Sequence, residues 1–169
     1  NQPTLYRVHE GPNEEKLDNL YQFLRSLGIS VPRKAKPTPK DYQLILQRLA
    51  VRPDRHLLQS LVIRSLMQAQ YQPENLGHFG LGFDAYAHFT SPIRRYSDLL
   101  VHRALVDAYG LEQPKPKADL PPTSGLAERD RADLSRVSDA ISQAERRAMM
   151  AERETIDRYV AAWLASRIG

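Results

Sequence analysis

Two adjacent arginines, Arg94 and Arg95, follow the pair Ser91-Pro92 and precede Tyr96-Ser97-Asp98. Ser91 can accept a backbone N–H as a helix cap, and proline suits the first helical position, where its missing donor costs nothing. The sequence therefore predicts a helix beginning at Pro92. Cations in the first turn of a helix are disfavoured by its dipole, by roughly 0.3–1 kcal/mol each. Two partners could offset that. Asp98 can pair with either arginine for about 0.2–0.5 kcal/mol. Alternatively, free N–H groups at a helix start, a cap hydroxyl and a guanidinium fork together make a phosphate site. The residues alone leave both readings open.

The elements around this stretch must position it. Counted at the helical period from Pro92, Ile93, Leu100, Val101, Ala104 and Ala108 share an apolar face, with Arg95, Asp98 and His102 opposite and Arg94 at the edge, partly buried. Gly110 is placed to end the helix. Upstream, Gly77, Gly80 and Gly82 lie among Phe79, Leu81, Phe83, Tyr86 and Phe89, a pattern of one or two short strands joined by tight bends. Tyr86 and His88 are the candidates to present flat faces to unstacked bases, and Phe79, Phe83 and Phe89 read as packing.

Earlier in the chain, residues 1–12 read as an extended entry. Asn13 then caps an amphipathic helix carrying Leu17, Leu20, Tyr21, Leu24 and Leu27, closed by Gly28. A proline-rich basic connection runs from Val31 to Lys40, and Thr38-Pro39 opens a second helix. After Arg52-Pro53-Asp54 a long apolar stripe, Leu57, Leu58, Leu61, Val62, Leu66 and Ala69, marks a core helix. Residues 111–125 form an internal proline-rich surface loop. From Leu126 one helical pattern runs nearly to the end, with a seam at Leu134, Val137, Ile141, Ala144, Ala148 and Ala151. Ile156, Val160, Trp163 and Leu164 continue it as a buried stripe. Glu145 and Glu152 fall on one flank of that seam.

The 169 residues carry 24 basic against 20 acidic side chains, a net +4 that favours a polyanionic partner only weakly. With no cysteine there is no disulfide framework and no thiolate metal site. No apolar run has the length of a membrane span. His56 has no second ligand at metal spacing and reads as an exposed helix residue. A chain starting at Asn1 fits a processed or excised piece.

The string His88 to Tyr96 with Asp98 and His102-Arg103 resembles the signature of the ribonuclease II and ribonuclease R family, whose catalytic domain is called RNB. Leu5-Tyr6-Arg7-Val8-His9-Glu10, Glu14-Glu15-Lys16-Leu17, His78-Phe79-Gly80-Leu81 and Ala144-Glu145-Arg146-Arg147 follow the same family in order. The resemblance implies a hydrolytic 3′-to-5′ exoribonuclease that releases nucleoside 5′-monophosphates and acts in the cytoplasm on the 3′ end of single-stranded RNA. Residues 1–169 would be the C-terminal portion of a single RNB domain, α/β or α+β and predominantly helical, with one or two short strands and a long C-terminal helix. Arg94 would clamp the scissile phosphate, Thr90 and Ser91 would orient it, and Arg95 would meet a neighbouring phosphate or Asp98. Glu152 would position the 3′-terminal nucleotide, while Glu154 stands where the family more usually has aspartate. The family's Mg²⁺ is held by an aspartate cluster absent from this sequence. The expectation is a fragment inactive alone, lacking the N-terminal part of its catalytic domain and exposing apolar surface prone to self-association. The competing reading is a non-catalytic helical module that binds RNA or packs between domains.

Overall fold

Asn13 takes the Lys16 N–H on its side chain at 2.9 Å, which opens helix α1 (Glu14–Ser26). Gly28, at φ 71°, ends it by donating to the Arg25 carbonyl. These local signals recur along the chain. The computed structural model describes residues 3–113 and 125–167. In order, its elements are strand β1 (Tyr6–Val8), α1, α2 (Pro39–Leu49), α3 (Arg55–Arg64), β2 (Gln70–Gln72), a 3-10 turn (Phe79–Leu81), α4 (Tyr96–Tyr109), α5 (Glu128–Ala132) and α6 (Leu134–Ala165). The fold is thus mostly helical, with one two-stranded sheet of β1 and β2 and a long C-terminal helix, as expected.

The chain divides into two compact units. The first comprises Tyr6–Gln70 and Glu74–His88. Its core is Leu20, Leu24, Tyr42, Ile45, Leu49, Leu58 and Val62, the inward stripes of α1 to α3. Thr38 and Asp41 form a complete capping box at the start of α2. The Asp41 carboxylate accepts the Thr38 N–H and hydroxyl, both at 2.8 Å, and pairs with Lys34 at 2.7 Å. The Lys34 contact and the two Thr38 bonds hold its pKa down to about 2. Helix α3 stops at Arg64, short of the predicted Ala69, and Leu57 is exposed, so only the Leu58 and Val62 side of that stripe is core.

The aromatic segment differs from expectation. Instead of a second strand, Phe79–Leu81 winds into a 3-10 turn closed by Gly82 at φ 67°. Two histidines hold it: Nδ1 of His9 accepts the Gly80 N–H at 2.8 Å and Nδ1 of His78 accepts the Leu81 N–H at 3.2 Å. With Nδ1 accepting, His9 carries its proton on Nε2 and donates it to the Met67 carbonyl, 2.7 Å away. A Cβ on Gly80 would stand 2.6 Å from His9 Nδ1, which explains the glycine.

The second unit comprises the segment up to Leu5, Tyr71–Pro73 and the chain from Phe89 onward. Leu5, Leu100, Ala104, Leu126, Leu134 and Val137 form its core. The buried Ser142 hydroxyl accepts the Tyr71 N–H at 3.0 Å. Gly110 ends α4 at φ 61°. Of the 111–125 loop, residues 114–124 lie outside the described residues.

Three expectations are corrected in this unit. Pro92–Arg94 forms a turn, and the helix starts at Tyr96. The pattern from Leu126 breaks at Asp133, whose side chain caps α6 through the Arg136 N–H at 2.9 Å. Finally, the seam of α6 is covered only in its first turns: Leu134 and Val137 are buried, whereas Ala144, Ala148, Ala151, Ile156, Val160, Trp163 and Leu164 are exposed. That leaves the apolar surface anticipated from the sequence.

Candidate functional site

Asp98 is the centre of the arginine-bearing segment. Its carboxylate is completely buried and accepts three donors: the Ser91 N–H at 2.7 Å, Arg95 Nη2 at 2.9 Å and the Ser97 hydroxyl at 3.1 Å. Burial alone would raise its pKa, but the Arg95 guanidinium, the Ser91 N–H and the Ser97 hydroxyl outweigh burial and hold it below the ordinary carboxylate range. The Ser91 carbonyl in turn accepts the N–H groups of Arg94 and Arg95 at 3.2 and 3.0 Å. A tight turn results, fastened at both ends to one carboxylate.

This geometry reverses two expectations. Ser91 does not cap α4 with its hydroxyl; it gives its N–H to Asp98, so Pro92 and Ile93 loop outward and Ile93 is fully exposed. Nor is Arg94 the held arginine. Arg95 is the one tied to Asp98, with its side chain 24% exposed, while Arg94 is exposed. Asp98, placed on the polar face by periodicity, is the most enclosed acid of the segment, because three donors replace the water it loses.

Arg94, Arg95 and Glu152 meet in one cleft of about 580 Å³, together with Tyr71, Tyr96 and Glu145. Helix α6 supplies its opposite wall, where Ala144 and Ala148 leave room. Neither the Arg94 nor the Glu152 side chain makes a hydrogen bond or ion pair to another described side chain. Tyr96 is pinned beside them by donating its hydroxyl to Asp130 at 2.8 Å. Burial and that carboxylate raise its pKa. The pairing of Tyr96 with Asp130 spans 34 residues, and no sequence pattern announces it.

The remaining candidates are not among the residues that line this cleft. Thr90 is exposed and Ser91 half-buried at the base of the turn. Tyr86 and His88 belong to the first unit, half-buried and edge-to-face at 5.7 Å; Tyr86 also meets His78 at 5.2 Å. Phe79 packs against Tyr42 as expected. Phe83 and Phe89, assigned to packing, are exposed. Phe89 stacks one face on His102 at 4.2 Å.

A second cavity, of about 800 Å³, opens in the first unit between α2, α3 and the 3-10 turn and contains none of the candidate residues. Among the described residues no three His, Asp or Glu side chains gather as a metal requires. Glu145 and Glu152 share their cleft with two arginines, so the residues present do not fit a magnesium site. No helix among the described residues is long and apolar enough to cross a membrane.

A guanidinium presented on a fastened turn stands in this cleft beside a second arginine and two glutamates, and a guanidinium fork is matched in shape to carboxylate and phosphate groups. Residues 1–110 match the RNB domain, and the chain belongs to that family. It is 42% identical to ribonuclease R of Aquifex aeolicus over 99% of its own length and 22% of the relative's. To the Escherichia coli protein it is 39% identical, over 99% and 20%. Among solved structures, Mycoplasma genitalium RNase R in complex with ribose-methylated single-stranded RNA superposes at a TM-score of 0.81. That structure is 27% identical, with 98% of this chain and 25% of that one covered. Yeast Ssd1, a pseudonuclease, matches at 0.60 and 22% identity, a likeness of fold. The chain thus spans about a fifth of the length of the ribonuclease R relatives it matches.

Proposed function

We propose that these 169 residues are the C-terminal portion of a single RNB domain, part of a hydrolytic exoribonuclease that degrades RNA from its 3′ end to nucleoside 5′-monophosphates. The observation that carries the reading is Arg94, held on a turn fixed by Asp98 and opposite Glu152 across one cleft. Support comes from ribonuclease R relatives matched along the chain and from a related structure bound to single-stranded RNA.

In this reading Arg94 clamps the phosphate under attack, offering a cation fixed before charge develops there. Arg95, neutralised by Asp98, faces the neighbouring phosphate. Glu152 positions the 3′-terminal nucleotide by accepting hydrogen bonds from its ribose hydroxyls, and Thr90 and Ser91 orient the turn. Tyr86 and His88 offer ring faces to unstacked bases of the RNA. Magnesium is assigned to residues of the intact protein outside this chain. A cysteine-free sequence suits the reducing cytoplasm.

The test is turnover and binding of a single-stranded oligoribonucleotide by the intact protein. Arg94→Ala should lower kcat by about 10²–10³, the scale of one preorganised donor to a reacting group. Unchanged turnover with unchanged RNA affinity would remove Arg94 from the mechanism. The 169-residue chain alone should release no mononucleotide in magnesium while still retarding RNA in a salt-dependent way. Absence of both binding and hydrolysis would favour a packing module instead.

A further inference from the structure

We infer that Asp98 is a positioning residue for the phosphate clamp, acting through the turn that carries Arg94 and never touching RNA. The inference rests on the proposed role of Arg94. Three observations support it. The carboxylate is sealed from solvent, so it has no contact with anything outside the protein. Its Oδ2 receives donors from both flanks of the turn, the Ser91 N–H at 2.7 Å and Arg95 Nη2 at 2.9 Å. Those same two residues frame the turn through the Ser91 carbonyl, which accepts the Arg94 and Arg95 N–H groups.

One carboxylate oxygen therefore ties the two ends of residues 91–95 together, beside the two N–H bonds to the Ser91 carbonyl. Pro92 restricts one dihedral inside the turn, and the exposed Ile93 contributes no packing. Removing the charge at Asp98 weakens the hold on Arg95 and on Ser91 together. The Arg94 side chain makes no hydrogen bond to another described side chain, so its direction follows the turn that carries it. A displacement of about 1 Å in a group that must meet developing charge can cost on the order of 100-fold in rate. Asp98 also explains why neighbouring arginines differ: it pairs with Arg95 and leaves Arg94 as the uncompensated cation of the clamp.

The experiment is a double-mutant cycle in the intact protein, read by single-turnover hydrolysis of an oligoribonucleotide, with RNA affinity and urea denaturation followed in parallel. Asp98→Asn should lower the hydrolytic rate constant by about 100-fold, with affinity little changed. In an Arg94→Ala background the same substitution should change the rate by less than about twofold, because the group it positions is gone. Equal losses in both backgrounds would show that Asp98 serves the fold generally and overturn the inference while leaving Arg94 in place. An Arg94→Ala variant with full activity would overturn the clamp itself. Should Asp98→Asn fail to fold, Ser97→Ala decides. It removes one of the three bonds and keeps the carboxylate, and the positioning role requires a few-fold rate loss that vanishes in the Arg94→Ala background. A loss that persists there rejects the role.

Discussion

The chain places a hydroxyl residue before proline twice, at Thr38-Pro39 and at Ser91-Pro92, and only the first opens a helix there. At Thr38 the third helical residue is Asp41, whose carboxylate returns to the Thr38 N–H and completes a capping box. At Ser91 the corresponding residue is Arg94, which has no acceptor to offer. The acceptor is Asp98, one turn later, and it draws the Ser91 N–H across the loop. Helix α4 consequently starts at Tyr96. Where the carboxylate stands, rather than the cap and proline themselves, decides between a helix start and an outward turn. The difference has a functional side: a completed helix would commit its first turn to its own backbone, whereas the fastened turn sets Arg94 apart.

The largest consequence concerns the two arginines. Arg95→Ala leaves the buried Asp98 without its cation and should cost about 1–3 kcal/mol of stability. Arg94→Ala, removing an exposed side chain, should change stability by less than about 0.5 kcal/mol. Urea denaturation of both variants measures this. Equal stability would mean that Asp98 does not depend on Arg95, and the account of the turn would need another anchor.

A smaller effect separates the two caps. Thr38→Ala should destabilise by about 1 kcal/mol, the usual cost of losing a side-chain cap. Ser91→Ala should lie within about 0.5 kcal/mol of the parent, because Ser91 contributes its backbone N–H and that survives the substitution. Similar losses at both positions would restore the helix start predicted from the sequence.

Residues whose partners are near in sequence were legible. Asn13, Thr38-Pro39, Gly28 and Gly110 delimit helices as their types require. The inward stripe of α1, Leu17, Leu20, Tyr21 and Leu24, is the one its periodicity marks. What escaped was fixed at a distance. Tyr96 is held by Asp130, and the Phe79–Leu81 turn is held partly by His9, far upstream. Periodicity places Asp98 on the polar, outward face, yet it is buried, because periodicity reports hydropathy and cannot count the donors that offset burial of an acid. Helix α6 shows the same limit: Val137 and Val160 continue one pattern, but the first is buried and the second exposed. An apolar stripe states that a face suits burial, without saying what covers it. Of the site, Arg94, Arg95 and Glu152 are legible in the sequence and share a cleft, whereas nothing in the pattern marks Tyr71 and Tyr96, which line it with them.

Acid sharpens the comparison last and with the smallest effect. Asp41 has its pKa held near 2 by Lys34 and Thr38, and that of Asp98 lies below the ordinary carboxylate range despite burial. A depressed carboxylate contributes stability that is present above its unfolded pKa, about 3.9, and lost as pH falls through the folded value. Both turns should therefore stay fastened at pH 5. The depressed histidine behaves alike at higher pH. Burial, then neighbouring His9, lowers the pKa of His78, so the unfolded chain takes up a proton near pH 6.5 more readily than the folded one. Stability is full above that pH and declines as pH falls through the folded pKa, where protonation would also remove the Nδ1 acceptor from the Leu81 N–H. Urea midpoints at pH 7.5, 6.5 and 5.5 should fall modestly for the parent and less for His78→Gln. If the two curves run parallel, the pH dependence belongs elsewhere. Should Thr38→Ala rather than His78→Gln flatten the decline, the capping carboxylate, and not the histidine pair, is the acid-sensitive element of the first unit.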